Sequence, residues 1–201
     1  MDFSNNDTIC AIATAAGGAI GIIRVSGCDS IRITDSIFSR NLLHATANTI
    51  SYGNILDGTG KVVDEVLVSV FRSPHSYTGE DSTEISCHGS AYILSRVLRL
   101  LIDAGCRQAQ PGEFTRRAFA NGKLDLSQAE AVADLIASTN EATHRIAIGQ
   151  LRGNISTSLS SLRDQLLKMT SLLELELDFS DHEELEFADR GEWRQLAVEI
   201  D

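Results

Sequence analysis

Three charged residues stand where the neighbouring sequence gives a plain surface charge little reason to be. Arg24 closes the apolar run IGII, Glu80 lies in the glycine-containing stretch YTGED, and Lys123 sits in NGKL just ahead of a capped helical segment. Their types suit one kind of ligand. A planar heterocycle with an amidine-like edge is matched by a carboxylate accepting two hydrogen bonds, each charge-assisted bond contributing ~1.5–3 kcal/mol. An anionic tail is matched by Arg or Lys. On spacing alone, solvated surface charges are the commoner use of such residues, and both readings stay open at this point.

Other constellations are weaker. Cys87 and His88 are adjacent in SCHGS, but neighbours on a strand point to opposite faces. That argues against a Cys–His dyad and for a buried Cys beside a hydrogen-bonded His. Asp178, Asp181, Glu183 and Glu184 lack the spacing and glycine of a calcium loop and read as a solvated acidic face. No metal site is expected. GTGK (58–61) and NGKL (121–124) both fall short of GxxxxGK[ST]. AAGGAIGIIR (15–24) leads into a strand rather than a helix, so it is no dinucleotide fingerprint.

Composition narrows the partners. The net charge of −11 leaves no basic footprint for gripping phosphate backbones unaided. The four cysteines form no CxxC pair and no zinc spacing, and read as reduced, mostly buried thiols. MDFSNNDTICAIATA is no secretory signal, and nothing approaches the ~18 apolar residues of a membrane span, so a cytoplasmic protein is expected.

The elements that must position Arg24, Glu80 and Lys123 are of two designs, giving an α+β class. Up to about residue 106, strands are predicted over 8–14, 19–27, 50–56, 62–71 and 82–88, with DGTGK as a hairpin turn. Short helices are predicted over 28–38 and 91–105, the second closed by Gly105. From Asp125 the pattern turns helical. Ser127 with Glu130 offers one capping box and Asp125 with Gln128 another. Leu151, Ile155, Leu159, Leu162, Leu166, Met169 and Leu173 form one apolar stripe, with Gly149 and Gly153 marking either a break or a close crossing. LELELDFSDHEELEF (173–187) alternates like a strand without an obvious partner, and the pattern ends mid-helix, suggesting an incomplete bundle. Between the halves, RQAQPGEFTRRAFANGKLDLSQAEA (107–131) reads as a hinge rich in specific groups.

Taken together, AIGIIRVSG, SYTGEDSTEISCHG, QPGEFTRRAFANGKLDLSQAEAVADLI and LDFSDHEELEF resemble the MnmE (TrmE) family of tRNA-modification GTPases, in the family's order over essentially the whole chain. The resemblance implies a mixed-sheet tetrahydrofolate-binding and dimerising domain over 1–122. It also implies the first part of an all-α helical domain over 123–201, with the GTPase domain inserted beyond it. GTP, magnesium and potassium would belong to that absent domain, so this stretch alone is not expected to hydrolyse GTP and holds no catalytic residue. The family modifies the wobble uridine of tRNA with the flavoprotein MnmG (GidA), using a formyl or methylene tetrahydrofolate. By position, Arg24, Glu80 and Lys123 become the expected folate contacts, with Glu80 reading the pterin edge from a loop and contributing little to the core.

The resemblance also implies that Phe114 and Phe119 anchor the hinge on the core, that Asn121-Gly122 turns the backbone, and that the Arg116–Arg117 pair serves a dimer contact or Glu113. Where the family often has Pro-Gly before the GIGIIR block, this chain has TAAGG, which leaves the loop before Arg24 less defined. The alternative is a purely structural module for dimerisation and docking. A third reading, a folate-dependent transferase, would need an acid or base such as His88.

Overall fold

The computed structural model describes residues 7–178, except for the side chains of Asn154, Ile155 and 176–178. The chain divides into two compact units, up to Leu124 and from Asp125 onward.

The first unit is built from β1 (Ile9–Ile12), β2 (Ile20–Ser26), α1 (Ser30–Ile37), β3 (Thr49–Leu56), β4 (Val62–Phe71), β5 (Ser82–His88), α2 (Ala91–Asp103), β6 (Arg107–Gln108) and α3 (Glu113–Ala120). Its sheet has the order β3-β4-β5-β2-β1-β6. All pairs are antiparallel except β1 with β6. The period-2 alternation decides which face is buried. Val68, Ile85 and Ile23 stand opposite one another across β4, β5 and β2, all fully buried. Leu94, Val97 and Leu101 of α2 and Ile33 and Ile37 of α1 complete that core. The intervening residues, among them Arg24 and Glu84, face the other way. Cys10, Cys87 and Cys106 are buried and Cys28 is exposed, none in a disulfide.

The loop before β2 is defined by close backbone contact rather than by proline. Gly17 N–H donates to the Gly89 carbonyl at 2.9 Å, and Gly89 N–H donates to the Ala19 carbonyl at 3.2 Å. A Cβ at Gly89 would fall 2.1 Å from the Gly18 carbonyl oxygen, a backbone atom. Gly89→Ala is therefore expected to lower stability by about 2 kcal/mol through overpacking and loss of this seam. An unchanged urea midpoint would mean that the loop yields freely.

The predicted hinge contains a helix instead. Glu113–Ala120 is α3, entered through Gly112 at φ 73° and opened by Glu113, whose carboxylate accepts from Gln110 N–H at 2.7 Å. Proline and glycine in QPGEF mark a helix start here. The helix buries Glu113, Arg117 and Ala118, and the two charged positions conceal its inner face from a hydrophobic reading. Phe119 is exposed and does not anchor the segment; Phe114 is half-buried. Asn121-Gly122 does turn the chain, Gly122 at φ 69°.

The second unit comprises α4 (Leu126–Ala137), α5 (Glu141–Leu151) and α6 (Asn154–Asp178). Of the two capping boxes, Asp125 with Gln128 forms, and Asp125 also accepts from Ser156 Oγ at 2.6 Å. Gly153, at φ 79°, breaks the apolar stripe after Leu151, so α5 and α6 are separate helices. Residues 173–178 continue α6 and are not a strand. The rest of LDFSDHEELEF and the acidic cluster at Asp181, Glu183 and Glu184 lie outside the described residues. No described helix is long and apolar enough to cross a membrane.

Candidate functional site

Register places Arg24 of β2 directly opposite Glu84 of β5. Arg24 Nε donates to Glu84 Oε1 at 2.8 Å, and Nη2 lies 2.7 Å from the same oxygen in the ion pair. The guanidinium carbon also lies 4.9 Å from the ring centre of Tyr77 and 5.6 Å from that of Phe114. These distances give cation–π attraction from two aromatic rings. Tyr77 belongs to the loop between β4 and β5, and its hydroxyl meets Thr115 Oγ1 of α3 at 2.9 Å. Loop and helix are thus latched together over the arginine.

Glu80 lies in the same loop, but it is no solvated loop carboxylate. Its side chain is 14 % exposed. Ser26, two residues beyond Arg24 on β2, donates Oγ–H to Glu80 Oε2 at 2.7 Å, and Ser26 Oγ also meets Thr78 Oγ1 at 2.6 Å. Arg117 Nη1 contacts Glu80 Oε1 at 3.2 Å and Oε2 at 3.4 Å. Two residues of strand separate Arg24 from Ser26 by about 7 Å, so Glu80 and Arg24 share one neighbourhood.

Arg117 is the hub of a wider ionic network. Its guanidinium donates to the Asp7 carbonyl at 2.8 Å, to the Asp7 carboxylate, and to Glu113 Oε1 at 3.4 Å. Arg107 joins from β6, bonding Asp7 Oδ2 at 2.6 Å and Glu113 Oε1 at 2.5 Å. Hydrogen bonds from Arg107, aided by the Gln110 N–H and by both positive charges, outweigh burial and hold the Glu113 carboxyl at a pKa of about 2. Burial alone would raise Asp7, but hydrogen bonds from Arg107 and Arg117 pull it below the usual carboxylate range. The Arg107 guanidinium is correspondingly raised, by Glu113 first and then Asp7.

Lys123 reaches the same loop from the far side of α3. Its Nζ donates to the Pro74 carbonyl at 3.1 Å, and its stem packs on Gly79, where a Cβ would lie 3.1 Å from Lys123 Cγ. Asn121 Nδ2 donates to the Thr78 carbonyl at 2.8 Å. Arg24, Glu80 and Lys123 therefore converge on one loop, residues 72–81. His88 does not join them. It ends β5 about 20 Å along the strand from Ser82, with Nδ1 at 2.7 Å from Asp64 Oδ1 and its imidazole largely exposed. Cys87 points into the core, so no Cys–His dyad forms.

The residues that sequence reasoning missed are Tyr77, Ser26, Asp7, Arg107 and the role of Arg117. Only Arg117 carried a signal, its i, i+4 spacing from Glu113 in what is now seen to be a helix.

Residues 8–123 match the family model described as GTP-binding protein TrmE N-terminus, and residues 126–201 match that of the MnmE helical domain. The chain is 62% identical over 202 residues to a tRNA modification GTPase MnmE of Bacteroides thetaiotaomicron and 61% identical over 202 residues to that of Bacteroides fragilis; each match covers 98% of this chain and 43% of the relative. The protein of the same name from Porphyromonas gingivalis is 51% identical over 203 residues, 98% of this chain and 42% of that protein. The chain thus spans less than half the length of these relatives.

Proposed function

The chain belongs to the MnmE family of tRNA modification GTPases, and on that premise we propose that its first unit binds a one-carbon tetrahydrofolate through Arg24, Glu80 and Lys123. The convergence of these three side chains on loop 72–81, beside Tyr77 and Phe114, is the observation that carries this reading.

The donor set fits the group. A carboxylate oxygen accepts about two hydrogen bonds, and among the described residues Glu80 Oε1 receives only Arg117, which leaves acceptor capacity for the N–H edge of a pterin. Arg24 turns Nε and Nη2 toward Glu84, and among the described residues Nη1 remains for a second contact. Lys123 supplies a cation for the glutamate tail. Bound folate would supply the one-carbon unit, and this chain's residues would bind and orient it.

The same reading makes the first unit a homodimerising module and the chain part of a cytoplasmic, GTP-driven enzyme that modifies wobble uridine in tRNA with the flavoprotein MnmG. GTP, magnesium and potassium are assigned to sequence outside this chain. A second reading, a structural dimerisation and docking module, draws on the fact that Arg24 and Glu80 are each ion-paired within the fold, with Glu84 and Arg117.

Calorimetric titration of 5-formyl-tetrahydrofolate separates the two. The parent is expected to bind, and Glu80→Gln, which keeps side-chain volume, is expected to bind ~100-fold more weakly through loss of charge-assisted hydrogen bonds. No binding to a folded parent would leave the structural module ahead. Equal affinity in both proteins would remove Glu80 from the site.

A further inference from the structure

A carboxylate in a ten-residue loop makes a poor recognition group unless something aims it, because each rotatable side chain that a ligand must immobilise weakens binding. Glu80 is aimed from two directions. From the sheet, Ser26 Oγ fixes Oε2 at 2.7 Å, and Ser26 is itself fully buried. From the helix, the Arg117 guanidinium lies against both carboxylate oxygens. Its own place is fixed by the Asp7 carbonyl, the Asp7 carboxylate and Glu113. Arg117 is 5% exposed, too enclosed to act on a ligand except through another group.

We propose that Arg117, with Ser26, is a positioning residue that holds Glu80 in its ligand-reading orientation. The inference rests on the folate reading above. It adds that specificity for the pterin edge is set by α3, an element that offers no direct contact of its own from Arg117. The same helix places Phe114, three residues earlier, against Arg24. One short helix thereby aligns the carboxylate and the guanidinium that the ligand would meet. A planar fork suits this work better than an ammonium, since it can bond Asp7 and Glu80 at once in fixed directions.

A double-mutant cycle tests the proposal, with 5-formyl-tetrahydrofolate as the probe, titrations carried to millimolar ligand, and melting temperature followed throughout. Arg117→Lys keeps the charge but loses the fork. It is expected to weaken binding about tenfold in the parent and less than twofold in a Glu80→Gln background, because its effect passes through Glu80. The same loss in both backgrounds, or no loss in either, would overturn the positioning role. Should Arg117→Lys fail to fold, Ser26→Ala enters the cycle in its place with the same expectation. A parent that binds no folate removes the underlying reading, whereas a parent that binds with additive losses removes only this inference.

Discussion

Arg117→Met is expected to lower the unfolding free energy by ~3–5 kcal/mol, the cost typical of removing one partner from a buried ionic network. Methionine fills much of the volume, so the loss is electrostatic rather than a cavity. Glu80 would lose its cationic partner, and Glu113, with a side chain 2 % exposed, would lose one of the charges that hold it ionised. Arg107 would still serve Asp7 and Glu113, which is why partial folding should survive. Urea denaturation at neutral pH checks this against Glu80→Gln, which leaves Arg117 with two carboxylates and should cost only ~1–3 kcal/mol. If Arg117→Met proved no more costly than Glu80→Gln, the network would be an exposed ornament and not a buried hub.

The strands were legible because their burial follows a period of two: Val66, Val68 and Val70 alternate inward along β4, and Thr83, Ile85 and Cys87 along β5. Ser82–His88 begins and ends where the pattern says it should. The helix α3 was not legible, because its inner face is made mainly of Glu113 and Arg117, with Ala118 its one fully buried apolar side chain. Hydrophobic periodicity cannot register a face that is buried by ion pairing. The candidate ligand residues stood out individually, Arg24 by its apolar approach and Glu80 by its glycine loop. Their partners did not. Asp7 lies 110 positions from Arg117, and Ser26 lies 54 from Glu80. Contacts at that separation are set by the register of β2 on β5 and by the return of the chain after α2, neither of which local spacing records. The break at Gly153 is a different case: the glycine was visible, and only its φ of 79° separates a break from a crossing.

Glu113→Gln should alter the acid response of the whole first unit. The Glu113 carboxyl sits at about 2 in the folded protein against an ordinary 4.5. A carboxyl depressed by folding contributes stability that is fully present above its unfolded pKa and is lost as pH falls through its folded pKa. The window therefore runs from about pH 4.5 down to about pH 2, and a depression of this size corresponds to about 3 kcal/mol. Asp7, also depressed, acts in the same direction. In the parent, the unfolding free energy should fall steeply across this window. In Glu113→Gln it should start lower at pH 7, fall less steeply, and converge on the parent curve as pH falls through about 2, where the parent's own Glu113 takes up its proton. Urea titrations at intervals between pH 7 and pH 2 give the comparison. Parallel curves would mean that Arg107 and Arg117 hold Glu113 no more tightly than water does, and the ionic network could then not supply the rigidity on which the positioning of Glu80 depends.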